Sequence, residues 1–132
     1  MKFIEENRDI FTVDFEKYVI AHCCITCDCK MDASNKKHLK LYDLQHKYID
    51  SYPSCVFHNN VLNLITKSKC WGKPSYETLD ISLKEMKDII IKEGITKIVM
   101  PRIGCELDWD NVKKIIISIF KDIDIEILIC WL

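Results

Sequence analysis

The sequence predicts an α/β fold built on a mixed, largely parallel sheet. Two observations carry this. From Val61 onward, short apolar runs alternate with longer stretches whose apolar residues recur every three or four positions. Just before, the apolar runs Ser54–Phe57 and Val61–Thr66 are separated only by His58-Asn59-Asn60. Asn tolerates positive φ, so this reads as a hairpin. Strand–helix–strand order favours parallel pairing through crossovers, and the hairpin adds one antiparallel element. The length, 132 residues, is that of one domain, so residues 1–132 are read as a single unit.

Phe3-Ile4 is a weak first strand. Tyr18–Cys24 is apolar and rich in β-branched and aromatic side chains, as a buried strand is. Ser34-Asn35 offers a cap to a helix whose face carries His38, Leu41, Leu44 and Tyr48. The hairpin strands follow. Pro74-Ser75 opens a second helix, with Tyr76, Leu79, Leu83, Met86 and Ile90 as its stripe, and Gly94 ends it. Thr96–Met100 is the next strand. Asp108 or Asp110 caps a third helix with Val112, Ile115, Ile116, Ile119 and Phe120 inward, and Asp124–Leu132 is the last strand.

Composition narrows the function. Nineteen basic residues stand against 20 acidic ones, too even a balance for a generic electrostatic nucleic-acid binder. No apolar run of about 20 residues occurs, so no transmembrane helix and no membrane partner are expected. The N-terminus turns acidic at Glu5-Glu6, unlike a signal peptide. Eight cysteines without a secretory signal indicate reduced thiols in an intracellular compartment, cytoplasmic or nuclear.

The richest segment is Met100-Pro101-Arg102-Ile103-Gly104-Cys105-Glu106-Leu107-Asp108-Trp109. It joins an apolar strand to a helix through a turn containing Gly. Ligands of α/β proteins sit beyond the carboxyl ends of the strands, at such turns. Asp108 is placed either to cap the helix or to act as general acid/base. Lys67 closes the apolar run Val61–Thr66, either as the first solvated residue after a strand or as a nucleophile with a lowered pKa. A lysine and an aspartate at neighbouring strand ends would meet over one cleft.

The cluster Cys23, Cys24, Cys27 and Cys29, beside His22, has metal-type spacing between Cys24 and Cys27. No second pair with such spacing appears, so no metal and no cofactor are expected. His22 either lines the cleft or is a satisfied structural histidine. Trp109 is placed at a helix start, and Trp71 and Trp131 either cover a pocket or pack at a rim.

Four blocks, Ile20-Ala21-His22-Cys23, Leu64-Ile65-Thr66-Lys67, Lys73-Pro74-Ser75-Tyr76-Glu77-Thr78-Leu79 and Met100–Cys105, resemble macrodomains. They are most similar to the branch of terminal ADP-ribose glycohydrolases, and the order of elements matches from about Phe3 to Leu132. The resemblance implies a three-layer α/β/α fold and an ADP-ribose cleft across the strand ends. It implies that Lys67 attacks the anomeric carbon of the distal ribose and that Asp108 shuttles protons. It implies that Asp9 contacts the adenine amine, with Ile10 beside it. The turn Pro101, Ile103, Gly104, Cys105, Glu106 and Leu107 would pass along the diphosphate, with His22, Thr66, Trp131 and Leu132 also lining the site. The expected partner is ADP-ribose, or an ADP-ribosylated protein or nucleic acid, met by a monomer.

Two departures from the family pattern define an alternative. The family's glycine-rich loop after Met31 is here Asp32-Ala33-Ser34-Asn35-Lys36-Lys37, and its glycine after Cys105 is Glu106. Side chains hinder backbone approach to a phosphate, and a carboxylate repels one. The alternative is a diverged macrodomain that binds a nucleotide or partner without turnover, with weakened ADP-ribose affinity.

Overall fold

The computed structural model describes residues 1–25, 53–58, 60–67, 75–104 and 107–132. Their six strands are β1 (Lys2–Asn7), β2 (Val19–Ile25), β3 (Ser54–His58), β4 (Val61–Lys67), β5 (Lys97–Pro101) and β6 (Glu126–Trp131). The helices are α1 (Tyr76–Glu93) and α2 (Trp109–Phe120), with a 3-10 turn at Ile10–Thr12. The strands form one sheet in the order β1-β6-β5-β2-β4-β3. Only β3 runs antiparallel, in the hairpin with β4, where Asn60 takes φ 61°. The other five are parallel, so their carboxyl ends share one edge.

Local chemistry sets the helix ends. The Ser75 hydroxyl accepts from Thr78 N, and Thr78 Oγ1 accepts in turn from Ser75 N, closing a capping box. Gly94 ends α1 in the left-handed region at φ 67°, its N–H donating to Ile90 O. Asp108, rather than Asp110, caps α2.

Alternation along the strands makes two cores. Ile98, Met100, Ile127 and Ile129 point to the helices and pack with Leu79, Leu83, Met86, Val112, Ile116 and Phe120. Val99, Leu128 and Cys130 point the other way, against Val13, Ile20 and Val61. Each fully buried Leu or Ile contributes roughly 1.5–3 kcal/mol, so the central strands anchor the edge that carries the site.

Three expectations shift. The weak strand at Phe3-Ile4 is a full six-residue strand, because Lys2–Asn7 pairs along β6. Tyr76 is not on the inner stripe; it opens α1 and is 38% exposed. Ile115 is half-buried rather than in the core of α2. The helix expected at Ser34–Tyr48 lies outside the described residues.

Candidate functional site

The chain steps one way along the sheet from β1 to β2, and the opposite way from β4 through β5 to β6. Such reversals open a crevice at the carboxyl edge. A cleft of about 350 Å³ lies there, lined by Arg8, Asp9, Ile10 and Phe11 after β1, Pro101 and Arg102 at the end of β5, and Cys130, Trp131 and Leu132 at the end of β6. A larger groove of about 450 Å³ lies between α1 and α2, lined by Lys84, Lys87, Lys114 and their neighbours. No strand end reaches it, so the smaller cleft is the candidate site.

Asp9 caps the 3-10 turn. Its Oδ1 accepts from Phe11 N at 3.0 Å, which fixes the carboxylate on the cleft wall. Arg8 is turned back on the same segment: its Nε donates to Thr12 Oγ1 (3.0 Å), one terminal nitrogen to Thr12 O (2.9 Å) and the other to Glu6 (3.1 Å). The arginine thereby braces the turn.

The segment from Pro101 to Asp108 crosses the edge between β5 and α2. Ile103 is buried, and Gly104 takes φ +78° with Val112, Leu107 and Leu79 packed around it. Leu107 N donates to Gly104 O at 2.7 Å, closing the turn. Cys105 and Glu106 lie outside the described residues. Asp108 Oδ1 accepts from Asp110 N at 3.1 Å, and Asp108 N donates to Tyr76 Oη at 3.2 Å. Asn111 Nδ2 reaches the same hydroxyl at 3.3 Å. The start of α1 therefore holds the start of α2. The dipole of α2 favours an anion at this end.

β4 ends on Lys67, and only β2 separates β4 from β5. Lys67 and Asp108 thus belong to one edge of the sheet. Thr66, just before, is 1% exposed. His22 is buried in the sheet, its Nε2 2.6 Å from Asn63 Oδ1, and it does not line the 350 Å³ cleft.

No group of three or more His, Cys, Asp or Glu among the described residues could hold a metal ion. Cys27 and Cys29 lie outside them. Cys55 and Cys130 are free thiols. Burial, with Glu85 nearby, pushes Cys55 up to about 12, and burial raises Cys130 as well. Both are poor nucleophiles at neutral pH.

Sequence reading missed several residues here. Arg102 stacks its guanidinium 4.5 Å from the Trp131 ring centre and 5.7 Å from that of Trp109. Glu5 Oε1 accepts from Trp109 Nε1 at 2.9 Å. A hydrogen bond from Lys113, with help from Trp109, holds the Glu5 carboxyl below the usual range. Cys130 lines the cleft. The arginine, directly after Pro101 in a segment already singled out, was the one available signal.

No family model matches the chain. Among curated proteins, human ADP-ribose glycohydrolase OARD1 is 37% identical over 121 residues, covering 83% of this chain and 79% of that protein. The bovine (Bos taurus) protein of the same name is 38% identical over 117 residues, covering 80% and 77%. Among solved structures, the macrodomain of Mycobacterium tuberculosis DarG superposes with a TM-score of 0.84 at 14% identity, over 97% of this chain and 96% of that one. A six-stranded mixed sheet, a cleft at its carboxyl edge and a relative of this identity over most of the chain lead to one conclusion: the chain belongs to the macrodomains, in the ADP-ribose glycohydrolase family of OARD1.

Proposed function

We propose that the protein binds ADP-ribose across the carboxyl edge of the sheet and hydrolyses the glycosidic bond that joins it to a macromolecule. The observation that carries this is the shared edge of β4, which ends on Lys67, and the β5–α2 turn, which ends on Asp108. The identity to a named ADP-ribose glycohydrolase supports it. The Asp9 cleft takes the adenine, with a carboxylate oxygen accepting from its amine. The 101–107 turn and the amino end of α2 face the diphosphate.

The Lys67 amine bonds to the anomeric carbon of the distal ribose while the bond to the target's oxygen or nitrogen breaks. Asp108 gives that leaving atom its proton. Asp108 then takes a proton from the water that displaces the lysine, and ADP-ribose leaves. The protein acts as an intracellular monomer of one domain. No helix among the described residues is long and apolar enough to cross a membrane.

The test is incubation with a mono-ADP-ribosylated protein or oligonucleotide. Lys67→Ala abolishes release of ADP-ribose, while calorimetric affinity for ADP-ribose stays within a few-fold of the parent. Unchanged product yield overturns the assignment. A second reading, binding without turnover, rests on Glu106 in the diphosphate turn. It requires a parent protein that binds but releases nothing, and a Glu106→Gly variant that binds more tightly.

A further inference from the structure

Asp108 stands immediately before Trp109, the first residue of α2. The indole Nε1 of Trp109 donates to Glu5 Oε1 at 2.9 Å, and Lys113 Nζ, one turn on in α2, donates to Glu5 Oε2 at 2.8 Å. Glu5 belongs to β1, at the far edge of the sheet. One carboxylate therefore ties the first turn of α2 to the outermost strand. The Trp109 ring also receives Arg102, which starts the turn that Trp109 ends, and the same guanidinium stacks on Trp131 in the cleft wall.

Energy alone does not explain this arrangement. The Lys113 ammonium and Glu5 carboxylate are 36% and 26% exposed, and such a pair contributes little to stability. Its geometry is more telling. The two ends of the turn that precedes Asp108 are joined side chain to side chain, and the joint is anchored to a strand. Asp108 is also held by its own cap, by Tyr76 and by the N–H groups of Asn111 and Val112 on its carbonyl.

We propose that Glu5 is a positioning residue for the reaction: acting through the Trp109 indole, it fixes the first turn of α2 and so the place of Asp108. This rests on the hydrolase reading. Arg102 and Trp131 extend the same contact chain into the cleft, so a base seated there and the carboxylate at the helix start are held by one joint.

The test uses two variants. Glu5→Gln keeps an oxygen for the indole N–H and discards the charge; Glu5→Leu keeps the size and discards the acceptor. Hydrogen exchange is read on the peptide 107–113, with 79–90 as control, and steady-state hydrolysis is read beside it. In Glu5→Leu, exchange at 107–113 rises about tenfold with the control unchanged. Its kcat falls about tenfold at constant KM. Glu5→Gln stays near the parent in both. Parent-like exchange at 107–113 in Glu5→Leu overturns the proposal, as does an equal rise in both peptides or an unchanged kcat. If the parent hydrolyses nothing, the catalytic reading fails, and the exchange data still decide whether Glu5 holds the helix start.

Discussion

His22 Nε2 lies 2.6 Å from Asn63 Oδ1, inside the sheet, and this contact fixes which nitrogen carries the proton. Asn63 donates its two amide protons to Val56 O (3.1 Å) and Val61 O (3.0 Å). Its oxygen is therefore an acceptor, so Nε2 of His22 is the donor. The three strands β2, β4 and β3 are bound together by this chain in the pleat.

Removing that hub is costly. Asn63 is fully buried, so Asn63→Leu takes a hydrogen-bond partner from His22 and from two carbonyls without opening a cavity. The expected loss is about 1–3 kcal/mol, read as a fall in melting temperature of roughly 5–10 °C. Affinity for ADP-ribose should change little, because neither His22 nor Asn63 is among the described residues that line the 350 Å³ cleft. A parent-like melting temperature would show that the network adds nothing.

Two glycines separate a backbone effect from a packing effect. Both adopt positive φ, Gly94 at 67° and Gly104 at 78°. A Cβ at Gly94 meets nothing within 4 Å, whereas one at Gly104 meets Val112 Cγ2 at 3.1 Å and Leu107 Cδ1 at 3.4 Å. Gly94→Ala should cost only the left-handed strain, about 1 kcal/mol, with ligand affinity intact. Gly104→Ala should cost about 1–2 kcal/mol more and weaken ADP-ribose binding, since the turn proposed to face the diphosphate must move. Equal affinities for both variants in calorimetry would remove the turn from the site.

Much of this architecture was legible in periodicity. Leu79, Leu83, Met86 and Ile90 marked the buried face of α1, Gly94 its end, and Asn60 the hairpin. β1 was harder to read, because Glu5 and Glu6 interrupt its apolar pattern and its partner is the last strand of the chain. The places of Lys67 at the end of β4 and of Asp108 at the cap of α2 were legible as element ends. The Glu5–Trp109 and Arg102–Trp131 contacts were not. They join residues distant in sequence, and no spacing rule encodes a cross-sheet pairing of exposed side chains.

At the opposite edge, the Tyr18 hydroxyl donates to Glu126 Oε2, with Lys2 3.7 Å from the other carboxylate oxygen. The bond to Glu126 pushes Tyr18 up to about 12, and the same bond lowers Glu126 below its usual value. The signs give a two-sided profile. The raised phenol contributes stability that is complete below about pH 10 and fades as pH climbs through 12. The depressed carboxyl contributes above about pH 4.5 and fades as pH falls through its folded value. Tyr18→Phe should lose about 1 kcal/mol at pH 7, and the gap from the parent should narrow at both extremes. Urea unfolding across pH checks this; a gap independent of pH would refute the linkage.

Asp108 is asked to do two things, and a pair of substitutions divides them. As a helix cap it accepts from Asp110 N, a role that Asn fills as well as Asp. As an acid/base it must exchange a proton, which Asn cannot do. Asp108→Asn should therefore keep the melting temperature and ADP-ribose affinity of the parent, while hydrolysis falls by about two orders of magnitude or more. Asp108→Ala should lose the same activity and, in addition, about 1 kcal/mol of stability. If Asp108→Asn hydrolyses at the parent rate, the carboxylate is only a cap. The proton must then come from another group on the carboxyl edge of the sheet.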